Sequence, residues 1–152
     1  MQELAIVKPT RVDHLSDVKT YGLGVIDFRI LAGSERTNGA FALGEFSGAE
    51  GAWTVPHIHA LSLEGFFVLD GRFTFTLGED DFQAETGSFV LIPRGTRHLM
   101  RAEAGGGRFL TIWTPGGLEQ MFVELSKLSP DALRDPDVRK AVSARFDSIP
   151  VP

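Results

Sequence analysis

The chain has 152 residues, a size that fits one domain, since domains most often hold roughly 100 to 150 residues. Apolar residues make up 43% and charged residues 23%, ordinary globular values that exclude a disordered chain or a coiled coil. The net charge is −5 with no dense basic run, so the electrostatic footprint of a nucleic-acid binder is missing and acidic membranes are poor partners.

There is no cysteine, which removes disulfides, thiolate zinc sites and cysteine nucleophiles together, so any metal must be held by His, Asp or Glu. The segment Met1 to Pro9 lacks the basic start and apolar stretch of a secretory signal. No later apolar run approaches the roughly 20 residues that span a bilayer, and a cytoplasmic location is expected.

From Val25 to Trp113 the pattern is one of short strands separated by glycine-rich turns, as in a sandwich or barrel. Strands are expected over Val25 to Leu31 and Ala40 to Phe46. Phe66-Phe67-Val68-Leu69 is continuously apolar, which predicts a strand covered on both faces or lining a pocket. In Arg72 to Leu77 apolar and polar residues alternate, so Phe73, Phe75 and Leu77 share one face, with Gly71 and Gly78 bracketing the strand. Ser88 to Ile92, Arg97 to Glu103 and Arg108 to Trp113 complete the set. After the turn Thr114-Pro115-Gly116-Gly117, the apolar residues Leu118, Met121, Phe122 and Leu125 recur at helical spacing and predict a helix to Leu128, stopped by Ser129-Pro130. Asp135 with Pro136 behind it predicts the start of a second helix, with Val138, Ala141, Val142 and Phe146 as its apolar stripe.

Four histidines are present, and two of them form His57-Ile58-His59. On a strand this places both imidazoles on one face, about 6.6 Å apart along the axis, where two ring nitrogens can reach one ion. Glu64 follows across an expected turn at Ala60 to Leu63, so an antiparallel partner strand could return its carboxylate to the same point. His98 lies on a later strand, and His14 reads as a surface side chain.

The surroundings of these residues resemble the two motifs of the cupins. Gly51, five residues, His57-Ile58-His59, four residues, Glu64, six residues and Gly71 fill every fixed position of the first motif. Gly87, five residues, Pro93-Arg94-Gly95, two residues and His98 fill the second, which departs only at its end, where the family often has Asn and this chain has Ala102. The resemblance implies an all-β fold, the double-stranded β-helix or jelly-roll barrel, with a short C-terminal helical segment. The whole of residues 1–152 then reads as one cupin domain, with a barrel core of about 22–114 and helices over about 117–147. In such barrels Gly71, Gly87 and Gly95 permit positive φ where the chain changes direction. The residues matching His57, His59, Glu64 and His98 bind one divalent transition metal. Iron, manganese, cobalt, nickel, copper and zinc all suit this donor set. A six-coordinate ion with four protein ligands keeps two positions open for chemistry.

Phe41, Trp53, Phe66, Phe75, Met100 and Trp113 are the candidate substrate-pocket residues, and an aromatic lining suits a small apolar or planar substrate. Arg72, Arg94, Arg97 and Arg101 could hold an anionic group, although alternation and turn placement favour solvent-facing roles. The stretch Pro56 to Gly71, with Thr114 to Phe122 leading into a helix, looks like the bacterial single-domain cupins of the quercetin 2,3-dioxygenase-like group. That likeness implies a metal-dependent dioxygenase which uses O2 to cleave a flavonol-like, enol or aromatic substrate, with loss of carbon monoxide from a flavonol. Glu64 then serves as ligand and as the catalytic carboxylate that accepts the substrate proton. Two alternatives stand beside it: an oxygen-independent isomerase, cyclase or dehydratase acting on a polyketide or keto acid, and a non-catalytic small-molecule-binding cupin. The resemblance also implies a homodimer formed through sheet edges and the N-terminal strand.

Overall fold

The computed structural model describes residues 12–152, so the expectations placed on Met1 to Pro9 and on a strand there lie outside the described residues. Nine strands form one curled sheet: β1 (Thr20–Gly22), β2 (Ile26–Ala32), β3 (Ala42–Gly48), β4 (His57–Ile58), β5 (Leu63–Leu77), β6 (Asp80–Glu85), β7 (Phe89–Ile92), β8 (His98–Thr114) and β9 (Ile149–Pro150). Their order is β1-β2-β3-β8-β4-β9, with β5 along the other side of β8 and β6 and β7 paired to β5. All pairings are antiparallel. The sheet curls into the jelly-roll form without hydrogen bonds closing it.

β5 and β8 build the frame. Each was expected as two strands, and each is continuous, running 15 and 17 residues. They bend together at one corner, where the register shifts on either side of Gly71 and where Gly105, Gly106 and Gly107 cross β8. Gly71 has φ of 83°, and a Cβ there would lie 2.2 Å from the carbonyl oxygen of Gly106. Glycine is therefore needed both for the left-handed backbone and for the close approach of the two chains. Gly71→Ala is expected to cost more than the roughly 1–2 kcal/mol that a left-handed backbone alone costs an L-residue. Thermal unfolding checks this, and an unchanged midpoint would contradict the role given to Gly71.

The interior is a stack of aromatic rings. Phe28 lies on Phe46 at 4.4 Å between centroids, Phe46 on Phe109 at 5.2 Å, and Phe109 meets Phe73 edge-on at 5.0 Å. Phe66-Phe67-Val68-Leu69 takes the second of its two expected forms, a strand that lines a pocket, with Phe66 in the cavity wall and only one face covered. Phe66 and Val68 are buried, while Phe67 is 43% exposed, because this part of the sheet has no layer on its outer side. Phe89, Leu91 and Ile112 share that outer face.

The C-terminal helices are α1 (Glu119–Leu125), α2 (Pro130–Arg134) and α3 (Pro136–Ser143). α1 is shorter than expected, since the chain leaves it in turns over 126–128. It covers the barrel mouth: Phe122 stacks on Trp113 at 5.6 Å and touches Phe28 and Phe46. The Glu119 carboxylate, fully buried, accepts the backbone N–H groups of Ser34 and Gly117 at 2.7 Å each and ties α1 to the β2–β3 connection. Ser129-Pro130 not only stops one helix but begins the next, with the Ser129 hydroxyl capping Ala132 N–H. Asp135 caps α3 as expected, accepting from Asp137 and Val138. Among the described residues no helix is long and apolar enough to cross a membrane.

Candidate metal centre

His57, His59, Glu64 and His98 converge at one end of the barrel, with one donor atom from each lying within 4.8 Å of all the others. His57 and His98 face each other directly in the β4–β8 pairing. Glu64 reaches the cluster differently from expectation: β4 and β5 are not paired, and β5 returns the carboxylate through its pairing with β7 and β8, where Glu64 stands opposite Ile92 and Trp113. The curl of the sheet, rather than a hairpin, closes the group. His14 stays outside it, exposed, and caps the short helical turn Leu15–Asp17.

Each imidazole is oriented by its other nitrogen. Nδ1 of His57 donates to the Val55 carbonyl at 2.7 Å, Nδ1 of His98 to the Thr96 carbonyl at 2.9 Å, and Nδ1 of His59 to the Asp147 carbonyl. A carbonyl can only accept, so in the neutral rings Nε2 carries the lone pair. Nε2 of His59 lies 2.8 Å from Glu64 Oε2, and Nε2 of His98 lies 3.1 Å from the same oxygen. Only a proton or a cation reconciles nitrogen lone pairs with a carboxylate oxygen at those distances. Two donors at right angles on an ion with bonds of about 2.1 Å stand about 3.0 Å apart. Glu64 Oε2 has that spacing to the Nε2 atoms of His59 and His98, and the donor chemistry of all four residues fits a divalent ion.

The charge balance of the cluster agrees. Burial holds the His57 pKa down at about 4, with the neighbouring His98 adding to the effect, so this ring is a neutral donor near neutral pH. Burial also opposes charge on His59, but the hydrogen bond and negative charge of Glu64 outweigh it and raise the His59 pKa above its usual 6.5. For Glu64, burial would favour the neutral acid, but hydrogen bonds from His59 and His98 prevail and hold it well below the usual carboxylate range. Its second oxygen, Oε1, accepts the indole N–H of Trp113 at 2.8 Å. Both carboxylate oxygens are thus engaged, which suits a ligand. Oε1 keeps a second lone pair, which leaves it able to accept a substrate proton.

Asp147, just before β9, was not found in the sequence. Its carboxylate accepts the backbone N–H groups of Ala60, Leu61 and Ser62, and its own carbonyl holds His59. It is a positioning residue for the loop between His59 and Glu64. Its carboxyl lies below the usual range, burial being outweighed by those hydrogen bonds. Asp147→Ala keeps the carbonyl that holds His59 but removes the acceptor of three loop N–H groups, so metal affinity is expected to fall by no more than the roughly 10- to 100-fold that losing a direct outer-shell partner costs. Chelator competition measures this, and an unchanged affinity would show that the loop holds its shape without the side chain.

The donors open into a cavity of about 420 Å³, a volume in the range of small-molecule sites. Of the expected pocket residues, Trp53, Phe66, Met100 and Trp113 line it. Phe41 and Phe75 do not. Phe41 precedes β3, whose buried positions begin at Ala42, and its carbonyl accepts the Thr37 hydroxyl. Phe75 is fully buried deeper in the barrel, behind Phe66 at 5.0 Å. Phe46, Phe109, Leu118 just before α1, and Met121 and Phe122 of α1 take their place in the wall. Arg72, Arg94, Arg97 and Arg101 lie outside the lining. Arg94 and Arg97 donate to backbone carbonyls of Leu61 and Pro152, and Arg101 pairs with Glu103.

A family model of the cupin domain matches residues 45–113, the stretch that supplies all four donors. Over these residues the chain matches a cupin domain. Quercetin 2,3-dioxygenase of Bacillus subtilis is 29% identical over 94 residues, which are 62% of this chain but 28% of that protein, so the chain matches about a quarter of its relative's length. Among solved structures, the polyketide cyclase RemF from Streptomyces resistomycificus superposes with a TM-score of 0.62 at 24% identity, covering 69% of this chain and 79% of that one. An RmlC-like cupin from Shewanella frigidimarina gives 0.65 at 14% identity, covering 73% and 96%. KdgF from Halomonas sp. gives 0.64 at 17%, covering 70% and 94%. At these identities the likeness is one of fold.

Proposed function

We propose that this cupin is a metal-dependent dioxygenase that cleaves a flavonol-like or other enol-bearing aromatic substrate with O2. The observation that carries the reading is the placement of a His-His-Glu-His donor set in the wall of a cavity whose remaining surface is largely aromatic and aliphatic. The partial identity to quercetin 2,3-dioxygenase supports it. His57, His59, Glu64 and His98 would hold a divalent transition ion, which supplies Lewis acidity and a template for the enol oxygen and dioxygen. The chain's own residues do the rest. Phe46, Phe66 and Trp113 offer ring faces and edges that hold a planar substrate and exclude water. α1 and the residue before it roof the site through Leu118, Met121 and Phe122. Glu64 receives the enol proton at the second lone pair of Oε1, while the Trp113 indole holds the carboxylate in place.

The test is oxygen uptake and loss of flavonol absorbance with quercetin, using metal-free protein reconstituted separately with iron, manganese, cobalt, nickel, copper and zinc. Uptake coupled to flavonol loss with one ion, absent from the metal-free chain, is the expected result. No uptake with any ion would overturn the reading. Turnover of an enol substrate that persists without oxygen would assign an isomerase, cyclase or dehydratase instead, and binding without turnover a small-molecule-binding cupin.

A further inference from the structure

The cavity wall is not apolar all the way round. At the side formed by α2 and α3, two arginines reach the lining, Arg134 and Arg139. Arg134 is largely exposed and is engaged by Asp131 at 2.9 Å. Arg139 differs in every respect. Its guanidinium lies 4.9 Å from the centre of the Trp53 ring, itself a lining residue, and donates only a long hydrogen bond, 3.4 Å, to the Trp53 carbonyl. Among the described residues no carboxylate pairs with it. The nearest acids on its own helix are spent or turned away: Asp135 caps the helix, and Asp137 is exposed.

A guanidinium has five N–H donors in a fixed fork that matches a carboxylate bidentately, and stacking on an indole fixes the direction of that fork. Arg139 is partly withdrawn from water, which lowers its pKa without removing its charge. A half-buried, unpaired cation stacked in the wall of an otherwise apolar cavity is costly unless an anion visits it. Trp53 precedes His57 by four residues, and Trp53, Arg139 and the metal donors line the same cavity.

We infer that the substrate is an anionic planar compound, an aromatic or enol acid whose carboxylate is remote from its metal-facing oxygens and pairs with Arg139. This deepens the proposed function and rests on that cavity being the substrate site. Trp53 contributes both a ring wall and the platform that aims the guanidinium.

The test measures binding rather than turnover, by isothermal titration of the full chain in metal-free and zinc-loaded forms. The probes are 2-naphthoate and its uncharged isostere naphthalene-2-carboxamide. Naphthoate is expected to bind about tenfold or more tightly than the amide in both forms, the scale of a charge-assisted hydrogen bond. Arg139→Met should abolish that preference while leaving amide affinity nearly unchanged, and Arg139→Lys should retain part of it. Equal affinities in the wild type, or no binding of either probe, overturn the inference. So does a preference that survives Arg139→Met, including one seen only with zinc, which would place the carboxylate on the ion. Because no oxygen chemistry is read, a chain that never consumes O2 can still show the preference, and the two readings fail separately.

Discussion

Replacing His98 by alanine is expected to leave a folded chain that no longer binds a divalent ion at concentrations saturating the wild type. His98 stands opposite His57 in the only registered pair of the β4–β8 ladder, and its Nε2 lies 3.1 Å from Glu64 Oε2. Its loss removes one of four donors and uncouples Glu64 from one side. Outer-shell changes alone cost about 10- to 100-fold in metal affinity, so removing a ligand should cost more than that. Cobalt(II) titration followed by visible absorbance measures it, with circular dichroism to show that the barrel is intact. A variant that binds cobalt as tightly as the wild type would remove His98 from the centre. The His57–Glu64 arrangement offers no substitute nitrogen among the described residues, since the remaining histidine, His14, is exposed and far along the chain.

The second large effect is expected at Glu64. Glu64→Gln keeps the outline of the side chain, but its amide must choose an orientation. The indole N–H of Trp113 demands an acceptor at the Oε1 position, so the amide NH2 turns toward His59 and His98. There it spends the two Nε2 lone pairs that an ion would use. Metal affinity should therefore fall, and kcat at saturating metal should fall by about 10²- to 10⁴-fold, the usual contribution of a positioned proton acceptor. Oxygen-uptake kinetics on the fully loaded variant check this. Turnover at the wild-type rate would show that Glu64 moves no proton and acts as a ligand alone.

Much of this centre was legible in the sequence because its information is local. His57-Ile58-His59 with Glu64 and His98 at fixed spacings needs only strand geometry and a returning chain, and all four donors meet. Alternation likewise placed Phe73 and Phe75 inside, and Asp135-Pro136 marked α3. What escaped depends on distance. Gly71 and Gly105 to Gly107 read as ends of strands, whereas they are a shared corner inside two continuous ones, and only the cross-strand contact shows this. β6 carries five exposed residues in six and so has no buried face to betray it. Alternation tells which way Phe75 points but not how deep it sits relative to the cavity. Asp147 and Arg139 act on the barrel from the C-terminal segment, 88 residues beyond His59 in one case and 86 beyond Trp53 in the other, where no local pattern marks them.

The four side chains are arranged to hold a divalent ion, and without it a proton bridges His59 Nε2 and Glu64 Oε2 in its place. Burial opposes charge on His59, but Glu64 outweighs it and raises the pKa, so this ring keeps a proton to higher pH than a free imidazole and an incoming ion must displace it. Isothermal titration of the metal-free chain with zinc, repeated in buffers of different ionisation enthalpy, counts both ion and proton. One ion per chain and release of protons at pH 6.5 are expected, with the release shrinking and the affinity rising as pH climbs. Binding of no ion, or of an ion that displaces no proton at pH 6.5, would contradict this arrangement.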